Sequence, residues 1–127
     1  MVRLQKKKYI QKSFCYLSGE DGTAVAYLAQ GGNGCISVTA NVAPKLCSDF
    51  QNFSKSKNSN EIKEAERIND LLQPVHKALF IESNPSPVKY AASLLNLSSD
   101  EVRLPLVKVT DKTKKEIQKA LKIANLL

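Results

Sequence analysis

Apolar residues follow two different periods along this chain. Near the start they come in short runs. Ser13 to Leu17 (SFCYL) is apolar and aromatic and stops at Ser18-Gly19-Glu20-Asp21-Gly22, which reads as a strand running into a turn. Thr23 to Gln30 (TAVAYLAQ) favours helix through its alanines and leucine. Gly31-Gly32-Asn33-Gly34 then stops that helix, because glycine and asparagine tolerate the left-handed conformation. Cys35 to Thr39 (CISVT) is rich in β-branched residues and predicts a second strand. Strand, short helix and strand form a βαβ unit, with parallel strands and a right-handed crossover.

After Asn41 the period becomes helical. Pro44 suits a first helical turn, with Leu46, Cys47 and Phe50 following at helical spacing. Ser54 to Asn60 is a polar surface loop. From Glu61, the residues Ala65, Ile68, Leu72, Val75 and Leu79 form an apolar stripe on a long helix, with a kink expected near Gln73 ahead of Pro74. Asn84-Pro85-Ser86-Pro87 breaks the chain. Ser86 is expected to cap a helix whose first residue is Pro87 and whose buried face holds Val88, Ala91, Ala92 and Leu95. Arg103-Leu104-Pro105-Leu106 reads as extended. Thr113-Lys114-Lys115-Glu116 reads as a capping box ahead of Ile117, Ala120, Leu121 and Ala124.

The resulting α/β arrangement is lopsided. Two parallel strands leave backbone groups unpaired on both outer edges and bury too little area to stand alone. A buried parallel sheet continues on at least one side, so the pattern itself calls for partner strands. The 127 residues suit one domain but not a complete (β/α)₈ barrel, which takes roughly 250.

Composition is globular, and the charge is what it adds. Nineteen Lys and Arg against 12 Asp and Glu give a formal net charge of +7, which raises the prospect of an anionic partner. The excess sits at the two ends. Arg3, Lys6, Lys7, Lys8 and Lys12 stand without an acid, and Lys112, Lys114, Lys115, Lys119 and Lys122 face only Asp111 and Glu116. Two solvated termini account for this pattern. Only Tyr9 and Phe14 interleave the N-terminal cations, which disfavours a nucleic-acid partner. Cys15, Cys35 and Cys47 lack CxxC spacing, so no metal or other cofactor is expected and reduced thiols in the cytoplasm are the simplest reading. No apolar run is long enough for a membrane span, and none follows the N-terminal basic residues as a secretory signal requires.

Candidate chemistry is sparse. The Gly19–Gly22 turn has amides suited to an anion, but it is not GxGxxG and its two acids oppose one. His76, the single histidine, lies beside the apolar stripe and reads as structural. Pairing Cys35 with His76 as nucleophile and base requires a spatial meeting that spacing does not supply. Lys89 reads as an exposed first-turn lysine rather than a Schiff-base former.

The stretches LSGEDGTA (Leu17–Ala24) and GGNGCISVTANVAP (Gly31–Pro44) resemble the seventh and eighth βα units of the dihydrodipicolinate synthase family. The resemblance continues through Glu64–Asn69, Pro74–Phe80, Asn84–Lys89 and Arg103–Leu106 to the closing helix, covering about residues 13–127. Residues Arg3 to Ile10 are expected to depart from the family, as do Ser83 and Ser86.

That resemblance implies a (β/α)₈ barrel with a C-terminal helical appendage. The family condenses pyruvate with aspartate semialdehyde on the route to diaminopimelate and lysine. Pyruvate forms a Schiff base with a lysine on the sixth strand, a tyrosine on the fifth relays protons, and members are usually tetramers. Ile36 matches the position whose backbone contacts bound pyruvate, and Gly19 matches a glycine close by. No catalytic residue carries over, because no Gly-Ile-Lys-like strand exists here.

The expectation is therefore an α/β partial TIM barrel holding the last two βα units, followed by a C-terminal helical region. Residues 1–12 form a basic N-terminal segment, 13–53 the two units and 54–127 the helical region. Such a chain reads as a truncated synthase-like protein, begun at an internal methionine and inactive alone. The alternatives are the C-terminal half of a split enzyme, or a basic nucleic-acid-binding or scaffold protein. Expected partners are pyruvate as a residual contact and either further copies or a complementing N-terminal chain.

Overall fold

The computed structural model describes residues 14–127. The basic N-terminal segment, with Arg3, Lys6, Lys7, Lys8 and Lys12, lies outside the described residues, as does Ser13. The described elements are β1 (Leu17–Ser18), α1 (Ala24–Ala29), β2 (Gly34–Cys35), α2 (Pro44–Phe53), α3 (Ser59–Ala78), α4 (Ser86–Leu94) and α5 (Asp111–Ile123). Short 3₁₀ turns at Asp21–Thr23 and Thr39–Asn41 follow the two strands.

β1 and β2 pair in parallel, Leu17 opposite Gly34 and Ser18 opposite Cys35. Both strands are shorter than their sequence runs predict. Before β1, the ladder passes through a side chain: Asn33 Oδ1 accepts from the Tyr16 N–H at 2.8 Å. After β2, the amides of Val38 and Thr39 turn to a side-chain carboxylate instead of a neighbouring strand. CISVT therefore curls into a 3₁₀ turn at Thr39 and does not run on as strand.

Between the strands, α1 stops as its glycines require. Gly31 takes φ 87°. Its N–H donates to Leu28 O at 2.9 Å and that of Gly32 to Tyr27 O at 3.0 Å, the paired bonds of a Schellman stop. A Cβ on Gly32 would sit 2.1 Å from the Tyr27 ring, so glycine is needed there for close approach as well.

α3 is the spine of the molecule. Its twenty residues span about 30 Å, and the stripe read from the sequence is its buried face. Ala65, Ile68 and Leu72 pack with Ala24, Ala43 and Phe50 in one core cluster. Val75, Ala78 and Leu79 pack with Val88, Ala91, Ile117 and Leu121 in a second. The helix runs through Pro74 to Ala78, at the loss of the N–H that would serve the Asp70 carbonyl.

Three expectations about helix ends need correction. α4 starts at Ser86 itself, with Pro85 in the cap position and no side-chain cap. Ser86 is buried, and its N–H donates to Ser83 O, so it cannot cap as a free end residue would. Arg103–Leu106 is a turn, not an extended run: the Leu106 N–H donates to Arg103 O at 3.0 Å across a cis Leu104–Pro105 bond. α5 begins at Asp111, two residues before the expected box, and is capped by Thr110. The Thr110 hydroxyl oxygen accepts from the Thr113 N–H. The reciprocal carboxylate is Glu82, from another loop, whose Oε1 accepts from the Thr110 N–H at 3.0 Å and hydroxyl at 2.7 Å. A capping box is thus assembled across 28 residues.

The two assignments separate in a denaturation experiment. Thr110→Ala is expected to cost about 1 kcal/mol of stability in urea, while Glu116→Ala leaves the midpoint unchanged. The reverse order would restore the box at Thr113 and Glu116.

Candidate functional site

Gly19 and Ile36 each stand just past the C-terminal end of a strand. The structure brings them together: the Ile36 N–H donates to Ser18 O at 2.8 Å, one rung beyond the last strand pair. The face they share is open. The Ile36 side chain is 70% exposed and that of Leu17 47%, and a Cβ placed on Gly19 would meet nothing within 4 Å. The site at the strand ends is therefore built from backbone and apolar side chains.

What holds this geometry is Asp21, 6% exposed. Its Oδ2 accepts from the Val38 N–H at 2.9 Å and the Thr39 N–H at 3.2 Å. Glu20 Oε1 accepts from the Gly22 N–H at 3.1 Å. The two acids of the Gly19–Gly22 turn thus serve the chain's own amides, and the turn offers no open cradle for a foreign anion. Nothing in the sequence marks Asp21 for this task, since its partners are main-chain groups seventeen and eighteen residues away.

Thr39, fully buried, shares a 2.7 Å hydrogen bond with His76 Nδ1 on α3. Burial pushes the imidazole below its ordinary pKa, and the nearby Asp21 and Glu20 carboxylates offset this only in part. His76 is thereby kept neutral as a link between the βαβ unit and the helical layer, the structural role its place beside the stripe suggested.

Cys35 and His76 do meet, lining one cavity of about 250 Å³ with Asp21, Cys47, Gln51 and Leu72. They do not form a nucleophile–base pair. The Cys35 thiol donates to Asp21 Oδ1, at 3.8 Å, and His76 Nδ1 is occupied by Thr39. Burial, then the Asp21 charge, pushes the Cys35 thiol up to about 11. Burial likewise takes Cys47 to about 11, against a lowering contact from Ser37. Gln51 Oε1 is a buried acceptor without a partner among the described residues. Lys89 lies in the first turn of α4, half-buried rather than exposed as expected. Among the described residues no group of three His, Cys, Asp or Glu side chains is placed to hold a metal, and no helix is long and apolar enough to cross a membrane.

Two parallel strands joined through a helix and followed by a helical layer define an α/β protein. The chain belongs to the dihydrodipicolinate synthetase family, whose model matches residues 2–124. That match starts ahead of Ser13, so residues Arg3 to Ile10, expected to depart from the family, fall inside it. The 4-hydroxy-tetrahydrodipicolinate synthase of Pelagibacter ubique is 58% identical over 123 residues, 97% of this chain and 42% of that protein. The dihydrodipicolinate synthase of Aquifex aeolicus superposes with a TM-score of 0.83 at 34% identity, covering 94% of this chain and 40% of that one. The Acinetobacter baumannii enzyme, solved in complex with pyruvate, superposes at 0.81 with 35% identity over 90% of this chain and 38% of that one. The chain thus spans about two fifths of the length of the relatives it matches.

Two measurements probe the buried cluster. With iodoacetamide at pH 8, exposed Cys15 is expected to react at the rate of an open thiol. Cys35 and Cys47 should react on the order of 10²-fold more slowly, their thiolate fractions being smaller by that factor. Equal labelling of all three would contradict the burial. For His76, the folded chain binds its proton less well than the unfolded chain. Stability is therefore full above the ordinary value of 6.5 and declines as pH falls below it. Urea midpoints between pH 8 and 5 should show this decline, and His76→Gln should flatten it; an unchanged slope in the variant would assign the decline elsewhere.

Proposed function

We propose that this chain supplies the last two βα units, residues 13–53, and the C-terminal helical region, residues 54–127, of a (β/α)₈ Schiff-base lyase of the 4-hydroxy-tetrahydrodipicolinate synthase type. The family reaction joins pyruvate to aspartate semialdehyde in lysine and diaminopimelate biosynthesis. The observation that carries this reading is the open strand-end face where Ile36 and Gly19 lie side by side. In such an enzyme Ile36 would offer its backbone to pyruvate and Gly19 would leave room beside it. The free thiols suit a reducing cytoplasm.

Covalent catalysis of this kind needs a lysine amine to form the imine with pyruvate. Among the described residues no lysine stands on a strand. The 127-residue chain is accordingly proposed to be inactive alone.

Completion by a second chain carrying the remaining strands is favoured by one further observation. Among the described residues the sheet has two strands, β1 and β2, so its outer edges are open to added strands. Further copies of the assembled enzyme are proposed as its other partners.

Borohydride reduction in the presence of pyruvate tests both statements. The isolated chain should give no adduct and no turnover. Mixed with the complementary N-terminal part of the Pelagibacter relative, it should restore turnover, with the adduct on a lysine of that part. A stoichiometric lysine adduct with turnover on the isolated chain would overturn the first statement. A mixture without turnover would overturn the second.

A further inference from the structure

The loop after α4 and the first turn of that helix enclose an open cavity of about 690 Å³. Its walls include Pro85 and Leu106, and four charged residues line it: Lys89, Arg103, Lys108 and Glu101. The charges are not equivalent. Lys108 is committed, its Nζ 2.8 Å from Asp100. Lys89 and Arg103 have no carboxylate within 4.0 Å among the described residues. Two uncompensated cations against one carboxylate leave the cavity with one net positive charge. Two like charges beside a concave apolar wall repel each other and focus a positive potential into the space between them.

We propose that this cavity is a binding site for a small organic acid with a single carboxylate. The guanidinium of Arg103 is a planar fork that matches a carboxylate edge, and the ammonium of Lys89 adds a point charge. Glu101 repels a second negative group and so selects against dianions. Pro85 and Leu106 give a short apolar body somewhere to rest. The position adds to the argument. Lys89 and Pro85 also line a neighbouring cavity with Val38 and Asn41, which follow the end of β2. An anion held at Lys89 would therefore sit on a path from solvent towards the strand ends. The site rests on charge and cavity shape and would bind such an anion whether or not the chain completes a lyase.

The test is a titration of the isotope-labelled 127-residue chain, followed by amide spectra at low salt. Pyruvate, acetate and inorganic phosphate serve as separate probes. Pyruvate and acetate are expected to give saturable shifts around Lys89 and Arg103 with millimolar dissociation constants. Lys89→Met and Arg103→Gln should each weaken binding by about two- to fivefold, the range for partly exposed charge pairs. Lys89→Arg should retain binding, and Glu101→Gln should tighten it and admit phosphate. Spectral dispersion reports whether each variant is folded, and Glu101→Gln keeps a gain of binding as a readout if a cation variant is not. Absence of saturable shifts at about 50 mM carboxylate, shifts unaltered in the Lys89→Met, Arg103→Gln double variant, or tighter binding of phosphate to the unaltered chain would overturn the proposal.

Discussion

A single carboxylate ties the strand ends of this molecule together. Asp21 follows β1, yet its Oδ2 accepts from two amides that follow β2. Bonds of this charged kind are worth about 1.5–3 kcal/mol each, and the unpaired buried amides left by their loss would add a penalty of similar size. A two-residue strand pair provides too few ladder bonds to fix its own register. Asp21 supplies that fixation from the side. It holds Ile36 and Gly19 next to each other, and it sets the 3₁₀ turn that carries Thr39 to His76. The βαβ unit is thereby joined to α3 through a chain of buried polar contacts: Asp21, the Thr39 amide, the Thr39 hydroxyl and the His76 ring.

The helical part depends less on the sheet. α3 packs one half of its apolar stripe against α1 and α2 and the other half against α4 and α5. Both clusters close around fully buried aliphatic side chains such as Leu79, Ile117 and Leu121. The apolar side chains left over are spread over both parts: Phe14, Leu17 and Ile36 are exposed around the strands, and Phe80, Ile81, Leu97, Leu104 and Val107 in the helical part. The hydrophobic effect therefore acts on two levels here. It is satisfied inside the two core clusters, and it leaves exposed apolar side chains on both the strand and the helical parts.

How much of this was legible depended on whether the responsible contact was local. The stripe from Ala65 to Leu79 was readable because its period is a property of neighbouring residues, and the structure buries every member of it. The Gly31 stop was readable because φ 87° is a local demand on one residue. The cap of α5 escapes local spacing because its carboxylate, Glu82, comes from a distant loop, while Glu116 stands at the spacing a local box needs. The Cys35–Thr39 run reads as a longer strand because β-branched residues favour extension, whereas Asp21 captures the Val38 and Thr39 amides. The meeting of Cys35 with His76 could not be read at all. It is a consequence of how α3 lies against the turn at Asp21–Thr23, and their spacing of forty-one residues carries no trace of it.

The division of chemistry follows from the same geometry. Groups at strand ends can be main chain or side chain, and this chain contributes the former: the main chain at Ile36, whose N–H is bonded to Ser18 O and whose carbonyl follows it, and an uncovered Gly19. Its buried side chains with chemical character are spoken for. His76 is bonded to Thr39, Asp21 to two amides, and both cavity thiols are held protonated by burial. A neutral imidazole and protonated thiols serve packing well and nucleophilic attack poorly. Backbone groups, by contrast, need only be held in place to position a carboxylate or carbonyl, and they need no particular protonation state. What this chain supplies is an ordered strand-end face, held by the bonds from Asp21 to the Val38 and Thr39 amides, with no activated side chain of its own among the described residues.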